Sequence, residues 1–115
     1  MAGLSEDHVP EVTVWELKHL IDNNQKPFLL DVREEWEYST ANLGGYLIPL
    51  KQIADRMDEI EKHQEDSLIV VHCRSGGRSA QVVRFLNAAG YTNAKNLRGG
   101  TLAWSKEIDP SLPTY

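Results

Sequence analysis

The amino-acid sequence predicts an α/β domain with a mainly parallel central sheet that is flanked by helices on both faces. Three observations lead to this prediction. Residues 28–32 and 68–71 are short apolar runs with the length of strands that are buried on both faces. Segments with apolar residues at helical spacing alternate with these runs along the chain. The connections are short, and strands that alternate with helices across short loops usually form a parallel sheet.

The length and composition predict a single domain over residues 1–115, with its core at about residues 12–106. The chain has 115 residues, of which 41% are hydrophobic, and this is enough to build one core without disulfides or metals. Pro-rich, Ser-rich or charged linkers and internal repeats are absent from the sequence. We therefore expect the chain to fold as one unit.

The composition also narrows the function and the compartment. Residues 1–7 lack the basic and apolar stretches of a secretory signal, and a single cysteine cannot form an intramolecular disulfide. The apolar run at 68–71 is far shorter than the roughly 20 residues that span a bilayer. Seventeen acidic and twelve basic residues give a net charge of −5, which argues against nucleic acid as a partner. We expect a cytoplasmic protein that binds neither nucleic acid nor membranes.

Local signals predict where the elements begin and end. Thr13 and Glu16 form a capping box that starts the first helix. The spacing of Ile53, Met57 and Ile60 predicts an amphipathic helix in the middle of the chain. The other predicted elements are a helical turn at 35–38, an extended segment at 46–48, a helix at 79–89, a strand at 94–97 and a short helix around 102–104.

The strongest chemical signal is a cysteine at the end of a buried strand. Residues 68–71 lead through His72 into Cys73, a loop with Gly76 and Gly77 follows, and a helix begins after the loop. A thiol reacts as its thiolate, which a helix N-terminus and nearby arginines stabilise. Glycines allow backbone angles that let successive amide N–H groups point inward as an anion-binding nest. A small buried core cysteine needs none of these features, so the pattern predicts a nucleophile.

Other residue types that often carry chemistry are interpreted as structural. His72 alternates with Cys73 along the predicted strand, so its side chain is expected to face away from the thiol. The spacing of the histidines does not match a metal site. The tryptophans Trp15, Trp36 and Trp104 are interpreted as packing residues.

Four motifs in order resemble those of the rhodanese family. The six residues from Cys73 to Arg78 look like the active-site loop of that family, which begins with the catalytic cysteine. The sequence is therefore identified as a single-domain member of the rhodanese-like sulfurtransferases, with residues 12–104 covered. Asn42 stands where the family commonly has His, so we expect no catalytic role for it. The other matching segments are Asp31-Val32-Arg33-Glu34, the stretch from Asn42 through Ile48-Pro49-Leu50, and Leu97-Arg98-Gly99-Gly100 with Trp104.

The resemblance implies a two-step sulfur transfer in which Cys73 is the catalytic nucleophile and carries a persulfide. A small anionic donor such as thiosulfate, or a persulfide donor, would give its outer sulfur to Cys73. Cyanide, a thiol or a protein would then accept that sulfur, with no cofactor and no metal. Asp31 and Arg33 are assigned a supporting role. The residues expected to bind the persulfide and the donor, through backbone amides and arginine side chains, are Arg74, Ser75, Gly76, Gly77, Arg78 and Ser79.

Two other functions share parts of this pattern. A phosphatase or arsenate reductase of the related cysteine-loop type also has a cysteine followed by an arginine, but its loop is one residue longer than the segment from Cys73 to Arg78. A binding module without turnover is the second alternative, although rhodanese-like domains of that kind have lost the cysteine that this chain keeps. The sequence leaves open the physiological donor and acceptor, the pathway and which arginine contacts the donor. It also leaves the oligomeric state open, and a monomer is compatible with it.

Overall fold

The computed structural model describes residues 9–115, and in them it shows five strands and five α-helices. Residues 1–8 lie outside the described part, and with them the stretch on which the prediction of no secretory signal depends. Within residues 9–115, none of the helices is long and apolar enough to cross a membrane. The strands are β1 (Glu11–Val12), β2 (Phe28–Asp31), β3 (Tyr46–Leu47), β4 (Ile69–His72) and β5 (Ala94–Leu97). The helices are α1 (Val14–Asp22), α2 (Glu35–Thr40), α3 (Met57–Glu61), α4 (Gly77–Ala88) and α5 (Gly100–Glu107).

The strands form one parallel sheet in the order β1-β5-β4-β2-β3. The sequence does not predict β1, because two residues are too few to show an alternating pattern. β4 lies at the centre, and Asp31 at the end of β2 is opposite His72 at the end of β4. Open parallel sheets bind ligands outside the carboxyl ends of their strands. The topology therefore places Cys73, which follows β4, in the middle of the binding edge.

Two hydrophobic clusters, one on each face of the sheet, hold the helices in place. Val71 of β4 belongs to one cluster, together with Val83 of α4. Val70 alternates to the opposite face, where its cluster includes Leu17 of α1 and is covered by Trp104 of α5. Helices thus cover both faces of the parallel sheet, which confirms the predicted fold class.

The amphipathic helix predicted around Ile53, Met57 and Ile60 is wrong in its backbone but correct in its buried side chains. The chain makes two 3-10 turns, Leu50–Gln52 and Ala54–Arg56, before the short helix α3. Ile53 and Ile60 are both buried in the core. A 3-10 helix repeats at a period close to that of an α-helix, so the apolar spacing alone does not separate the two.

The prediction that all three tryptophans are packing residues is wrong for two of them. Trp104 packs against the cluster on the α1 face. Trp15 and Trp36, by contrast, are 56% and 62% exposed. Trp36 lies on α2, and the side chain that this short helix buries is that of Glu37. Glu37 faces inward, where it pairs with Arg78, and the ring of Trp36 lies at the surface.

Candidate active site

Cys73 lies between β4 and α4, at the centre of the carboxyl edge of the sheet, and is 1% exposed. Gly76 precedes α4 with a φ of +115°, in the left-handed region that residues with a side chain rarely adopt. Gly77 has an ordinary φ and is the first residue of α4. Only one of the two loop glycines is therefore required for its backbone angle.

Three hydrogen-bonding groups converge on the Cys73 Sγ. The amide of Gly76 donates to it at 3.1 Å and the amide of Ser79 at 3.4 Å. The Ser79 Oγ lies 3.3 Å from Sγ. These groups belong to the loop and the first turn of α4, where the helix amides have no partner within the helix. We call residues 73–79 the sulfur cradle, because the arrangement can hold negative charge on this sulfur or on an atom bonded to it.

The cradle also determines the acidity of Cys73. Burial raises the pKa of the thiol, because it removes the thiolate from water. The hydrogen bonds from the hydroxyl and amide of Ser79, and from the amides of Gly76 and Ser75, lower the pKa and outweigh burial. The result is a pKa below the ordinary value of cysteine. A larger share of the residue is then present as thiolate, which is the reactive form.

A buried amide on β5 belongs to this site, although no sequence motif indicates it. The Ser79 Oγ donates to Asn96 Oδ1 at 2.5 Å, and Asn96 Nδ2 donates to the Gly76 carbonyl at 3.3 Å. A carbonyl can only accept, so the second contact fixes the direction in which the Asn96 amide faces. Asn96 is buried and connects the cradle to the neighbouring strand. An isolated Asn within a predicted strand carries no signal that could have revealed this contact.

The start of α5 supports the cradle from the other side. The amides of Thr101 and Leu102 donate to the carbonyls of Cys73 and Arg74 at 3.0 and 3.1 Å. Gly100 has a φ of +58°, and a Cβ at this position would overlap both carbonyl oxygens. The close approach explains why a glycine stands here in the closing motif of the sequence.

Arg78, one of the two arginines predicted to attract the donor, is held by a buried carboxylate. It makes a bidentate pair with Glu37, with Nη1–Oε1 and Nη2–Oε2 distances of 2.7 and 2.8 Å. The hydrogen bonds from Arg78 lower the pKa of Glu37 to about 2, although burial opposes this shift. The guanidinium of Arg78 is thereby fixed in place, and its charge interacts with Cys73 through space. The sequence contains no signal that connects Glu37 with the loop.

Arg74, the second predicted donor-binding arginine, is held by Tyr115. Its Nε donates to the main-chain oxygen of Tyr115 at 2.8 Å, and its Nη2 donates to the same atom. The guanidinium also lies over the tyrosine ring, with 5.3 Å between Cζ and the ring centroid. Tyr115 is distant from the loop in sequence, and no motif of the chain indicates its place at the site.

Asp31 and Arg33, predicted to support the site, form a fully buried ion pair at the end of β2. The Arg33 Nη2 lies 2.7 Å from Asp31 Oδ2, and both side chains are 0% exposed. Arg33 also donates from Nη2 to the Ala41 carbonyl at 2.7 Å and from Nη1 to the Tyr115 hydroxyl at 2.8 Å. The Tyr115 hydroxyl donates in turn to Glu37 at 2.9 Å. The pair thus reaches the cradle through other residues, and its supporting role stays a prediction.

His72 lies beside this ion pair and outside the sulfur cradle, as its alternation with Cys73 predicts. Its Nε2 is 3.8 Å from Asp31 Oδ2, and the ring is fully buried. Burial lowers the pKa of His72 to about 4. The ring is therefore neutral at physiological pH and adds no charge to the site.

The fold and the site together define an α/β protein with a buried, acidified thiol in an anion-binding loop. The rhodanese-like domain family matches residues 13–107. A sulfurtransferase of Allochromatium vinosum is 33% identical over 99 residues, which cover 85% of this chain and 90% of that protein. The solved structure of a rhodanese-like domain protein from Staphylococcus aureus matches with a TM-score of 0.75 and 30% identity, over 92% of this chain and 98% of that one.

A longer protein contains a similar segment. The adenylyltransferase and sulfurtransferase MOCS3-2 of Zea mays is 34% identical over 122 residues, which cover 99% of this chain but 25% of that protein. This chain therefore spans about a quarter of the length of the maize relative. With the matches above, the chain belongs to the rhodanese-like family, and the recognition from its four sequence motifs is confirmed.

Proposed function

We propose that this chain is a sulfurtransferase that carries sulfane sulfur as a persulfide on Cys73. The donor is thiosulfate or another persulfide, and the acceptor is cyanide, a thiol or a protein. The observation that carries the proposal is the convergence of the Gly76 and Ser79 amides on a buried Sγ. Membership of the rhodanese-like family and the name of the Allochromatium vinosum relative support the same chemistry.

The proposed reaction has two displacement steps on sulfur. The Cys73 thiolate attacks the outer sulfur of thiosulfate, the S–S bond of thiosulfate breaks, and sulfite leaves with the bonding electron pair. A new S–S bond then joins Cys73 to the transferred sulfur. In the second step cyanide attacks that terminal sulfur, thiocyanate leaves, and the electron pair returns to Cys73 as thiolate. The cycle balances without an external oxidant or reductant.

The sulfur cradle suits the intermediate because the terminal sulfur of a persulfide is an anion at neutral pH. The first turn of α4 directs its unpaired amides and the positive end of the helix dipole toward the Cys73 side chain. We expect the amides between Arg74 and Ser79 to share this charge, as an oxyanion hole does for oxygen. Ser75 and Gly77 are exposed, so their part of the loop faces the solvent from which a donor arrives.

The tight cradle also favours sulfur transfer over phosphate chemistry. The Gly76 amide is only 3.1 Å from Sγ, and the loop from Cys73 to Arg78 has six residues. A phosphatase intermediate places a tetrahedral phosphate on the same sulfur and needs donors for three more oxygens. We propose that a loop closed this far around Sγ leaves room for one additional sulfur atom.

The acceptor must come from outside the chain, because the sequence contains one cysteine. The name of the maize relative includes sulfurtransferase, which supports sulfur transfer to an external acceptor as the reaction. We propose that the domain works in the cytoplasm as one folded unit, on a small anionic donor and on a thiol or protein acceptor.

Intact-protein mass spectrometry tests the proposal. Thiosulfate should add the mass of one sulfur atom to the purified protein, and cyanide should remove it with formation of thiocyanate. Cys73→Ser should abolish both events, because no other thiol is present. Thiocyanate formation by Cys73→Ser at the wild-type rate would exclude Cys73 as the carrier. Hydrolysis of an aryl phosphate by the same preparation, faster than its sulfur transfer, would favour the phosphatase alternative.

A further inference from the structure

Tyr115 lies at the edge of the sulfur cradle, far in sequence from the other residues of the site. The segment after α5 is guided there by three hydrogen bonds. Asp109 accepts from the amide and hydroxyl of Ser111 at 3.0 and 2.6 Å. The Ser105 hydroxyl donates to the Leu112 carbonyl at 2.8 Å. The chain is thereby turned back along α5, and residue 115 reaches the carboxyl edge of the sheet.

The side chain of Tyr115 is held from several directions. Its hydroxyl accepts from Arg33 Nη1 at 2.8 Å and donates to Glu37 Oε2 at 2.9 Å. Its ring meets the exposed ring of Trp36 edge to face, with 5.4 Å between the centroids. These contacts fix the position of the residue, and they bring its main-chain oxygen to the Nε and Nη2 of Arg74.

The two arginines of the cradle are therefore engaged in different ways. Arg78 is bound by both oxygens of the Glu37 carboxylate, which is buried and has its pKa lowered to about 2 by that pair. Arg74 is bound by a single main-chain oxygen of Tyr115 and by the face of its ring. An anion that reaches the cradle can compete for Arg74 more easily than for Arg78, because the bidentate pair of Arg78 with a buried carboxylate is stronger than two hydrogen bonds to one main-chain oxygen.

We propose that Tyr115 is a specificity-determining residue for the sulfur donor. Its main-chain oxygen accepts the hydrogen bonds of Arg74. Tyr115 therefore disfavours small anionic donors such as thiosulfate, because the anionic end of the donor must displace this oxygen from Arg74. A donor that presents its sulfur without a separate anionic group does not need Arg74 and is not disfavoured. The inference rests on the proposed sulfurtransferase function and names the donor class that the site selects.

A purely structural role for Tyr115 makes the opposite prediction. If the residue only stabilised the fold, its removal would weaken the site or leave it unchanged. If it competes with the donor, its removal should improve the binding of anions. The sign of the effect on thiosulfate therefore separates the two roles.

The test uses the full chain and compares Tyr115→Ala with wild type. In Tyr115→Ala the main-chain oxygen loses the side-chain contacts that hold it at Arg74. The KM for thiosulfate should fall roughly three- to tenfold with kcat little changed, as expected for one partly exposed charged hydrogen-bond pair. The concentration of inorganic sulfate that protects Cys73 from iodoacetamide should fall by a similar factor, and this readout needs no turnover.

Three further variants make the result specific. Arg74→Gln should remove the effect, so that Tyr115→Ala changes neither KM nor sulfate protection in that background. Trp36→Ala, which removes one contact of the Tyr115 ring, should shift both in the same direction by a smaller factor and remains informative if Tyr115→Ala folds poorly. Tyr46→Ala is the matched control, because Tyr46 is an exposed tyrosine that contacts Glu59 away from the cradle.

A KM and a sulfate protection that stay constant or rise in Tyr115→Ala would overturn the proposal. A gain that persists unchanged in the Arg74→Gln background would overturn it as well, because Arg74 would not be the group released. Failure of the sulfurtransferase function gives a different result, in which wild type and all variants form no persulfide with thiosulfate. Sulfate protection would still report on Tyr115 in that case.

Discussion

The neighbouring parallel strands β2 and β4 end at the same edge of the sheet, but different groups stabilise negative charge at the two ends. β2 ends at Asp31, whose carboxylate is paired with Arg33 where both side chains are 0% exposed. β4 leads into Cys73, whose Sγ receives hydrogen bonds from neutral amides and lies beside a hydroxyl. At the end of β2 the charge is already paired within the protein. At the end of β4 the amide donors surround a sulfur, and they can bind an anion that comes from outside. A place at the carboxyl edge does not by itself make a strand end reactive.

The two arrangements have different energetic consequences. A buried ion pair is costly to break, because the remaining partner becomes an uncompensated charge in the interior. Neutral amides can surround a sulfur without any charge being buried, and they stabilise whichever anion forms there. We therefore expect the end of β2 to determine stability and the end of β4 to determine reactivity.

The largest effect on stability is expected when the ion pair between Asp31 and Arg33 at the end of β2 is broken. Arg33→Met should lower the free energy of unfolding by about 3–5 kcal/mol, because Asp31 remains charged and buried. Urea denaturation at neutral pH measures this loss. Cys73→Ser, the matched change at the end of β4, should cost about 1 kcal/mol or less while abolishing persulfide formation.

The combined variant Asp31→Leu, Arg33→Met sharpens this test. It removes both charges, so it should recover part of the stability that Arg33→Met loses. If the single and combined variants were equally unstable, the uncompensated charge would not be the cause. The lost contacts of Arg33 with Ala41 and Tyr115 would then account for the effect.

Most of the fold is predictable because its signals are local. The capping box of Thr13 and Glu16 does start α1, with both reciprocal hydrogen bonds present. The apolar runs become β2 and β4, and the helix that follows the loop becomes α4. The register and the two-residue strand β1 depend on pairing with distant segments, which a single sequence does not record. The 3-10 turns before α3 share their apolar spacing with a helix and are not distinguished from it.

The site, like the fold, has a part that local sequence predicts and a part that depends on contacts between distant segments. The residues from Cys73 to Ser79 are consecutive, so the strand, the glycine loop and the helix start indicate the cradle directly. Asn96, Glu37 and Tyr115 come from three separate segments and meet the cradle only after folding. Their residue types occur throughout the surface and core of proteins, so neither spacing nor composition marks them.

A medium effect separates the two glycines of the cradle. Gly76→Ala should lower the rate of persulfide formation roughly tenfold and the stability by about 1–2 kcal/mol, because its φ of +115° strains any side chain. Gly77→Ala should leave both close to wild type, since Gly77 starts α4 and a Cβ there meets nothing within 4 Å. Mass spectrometry of samples quenched at successive times gives the rate of persulfide formation, and urea denaturation gives the free energy of unfolding. Equal losses in both variants would show that loop flexibility, and not the angle at Gly76, is what matters.

The smallest expected effect concerns one hydrogen atom shared between the cradle and β5. Ser79 has a single hydroxyl hydrogen, which it can donate either to Asn96 Oδ1, 2.5 Å away, or to the Cys73 thiolate, 3.3 Å away. The Gly76 carbonyl favours this orientation of the Asn96 amide, because it can accept from Nδ2 but would repel Oδ1. The thiol of Cys73 can donate to the Ser79 Oγ, which lies 3.3 Å away, but a thiolate needs the hydroxyl to turn toward it. Asn96 and the Cys73 thiolate therefore compete for one hydrogen.

This competition predicts pKa shifts of opposite sign at Cys73. Ser79→Ala removes the hydroxyl and should raise the pKa, because the thiolate loses one of the hydrogen bonds that stabilise it. Asn96→Leu releases the hydroxyl to the thiolate and should lower the pKa. The rate of alkylation by iodoacetamide between pH 5 and 10 gives both values. Ser75→Ala is the control, since its exposed side chain should leave the inflection in place. A higher pKa in Asn96→Leu would show that Asn96 supports the thiolate through the loop rather than competing with it.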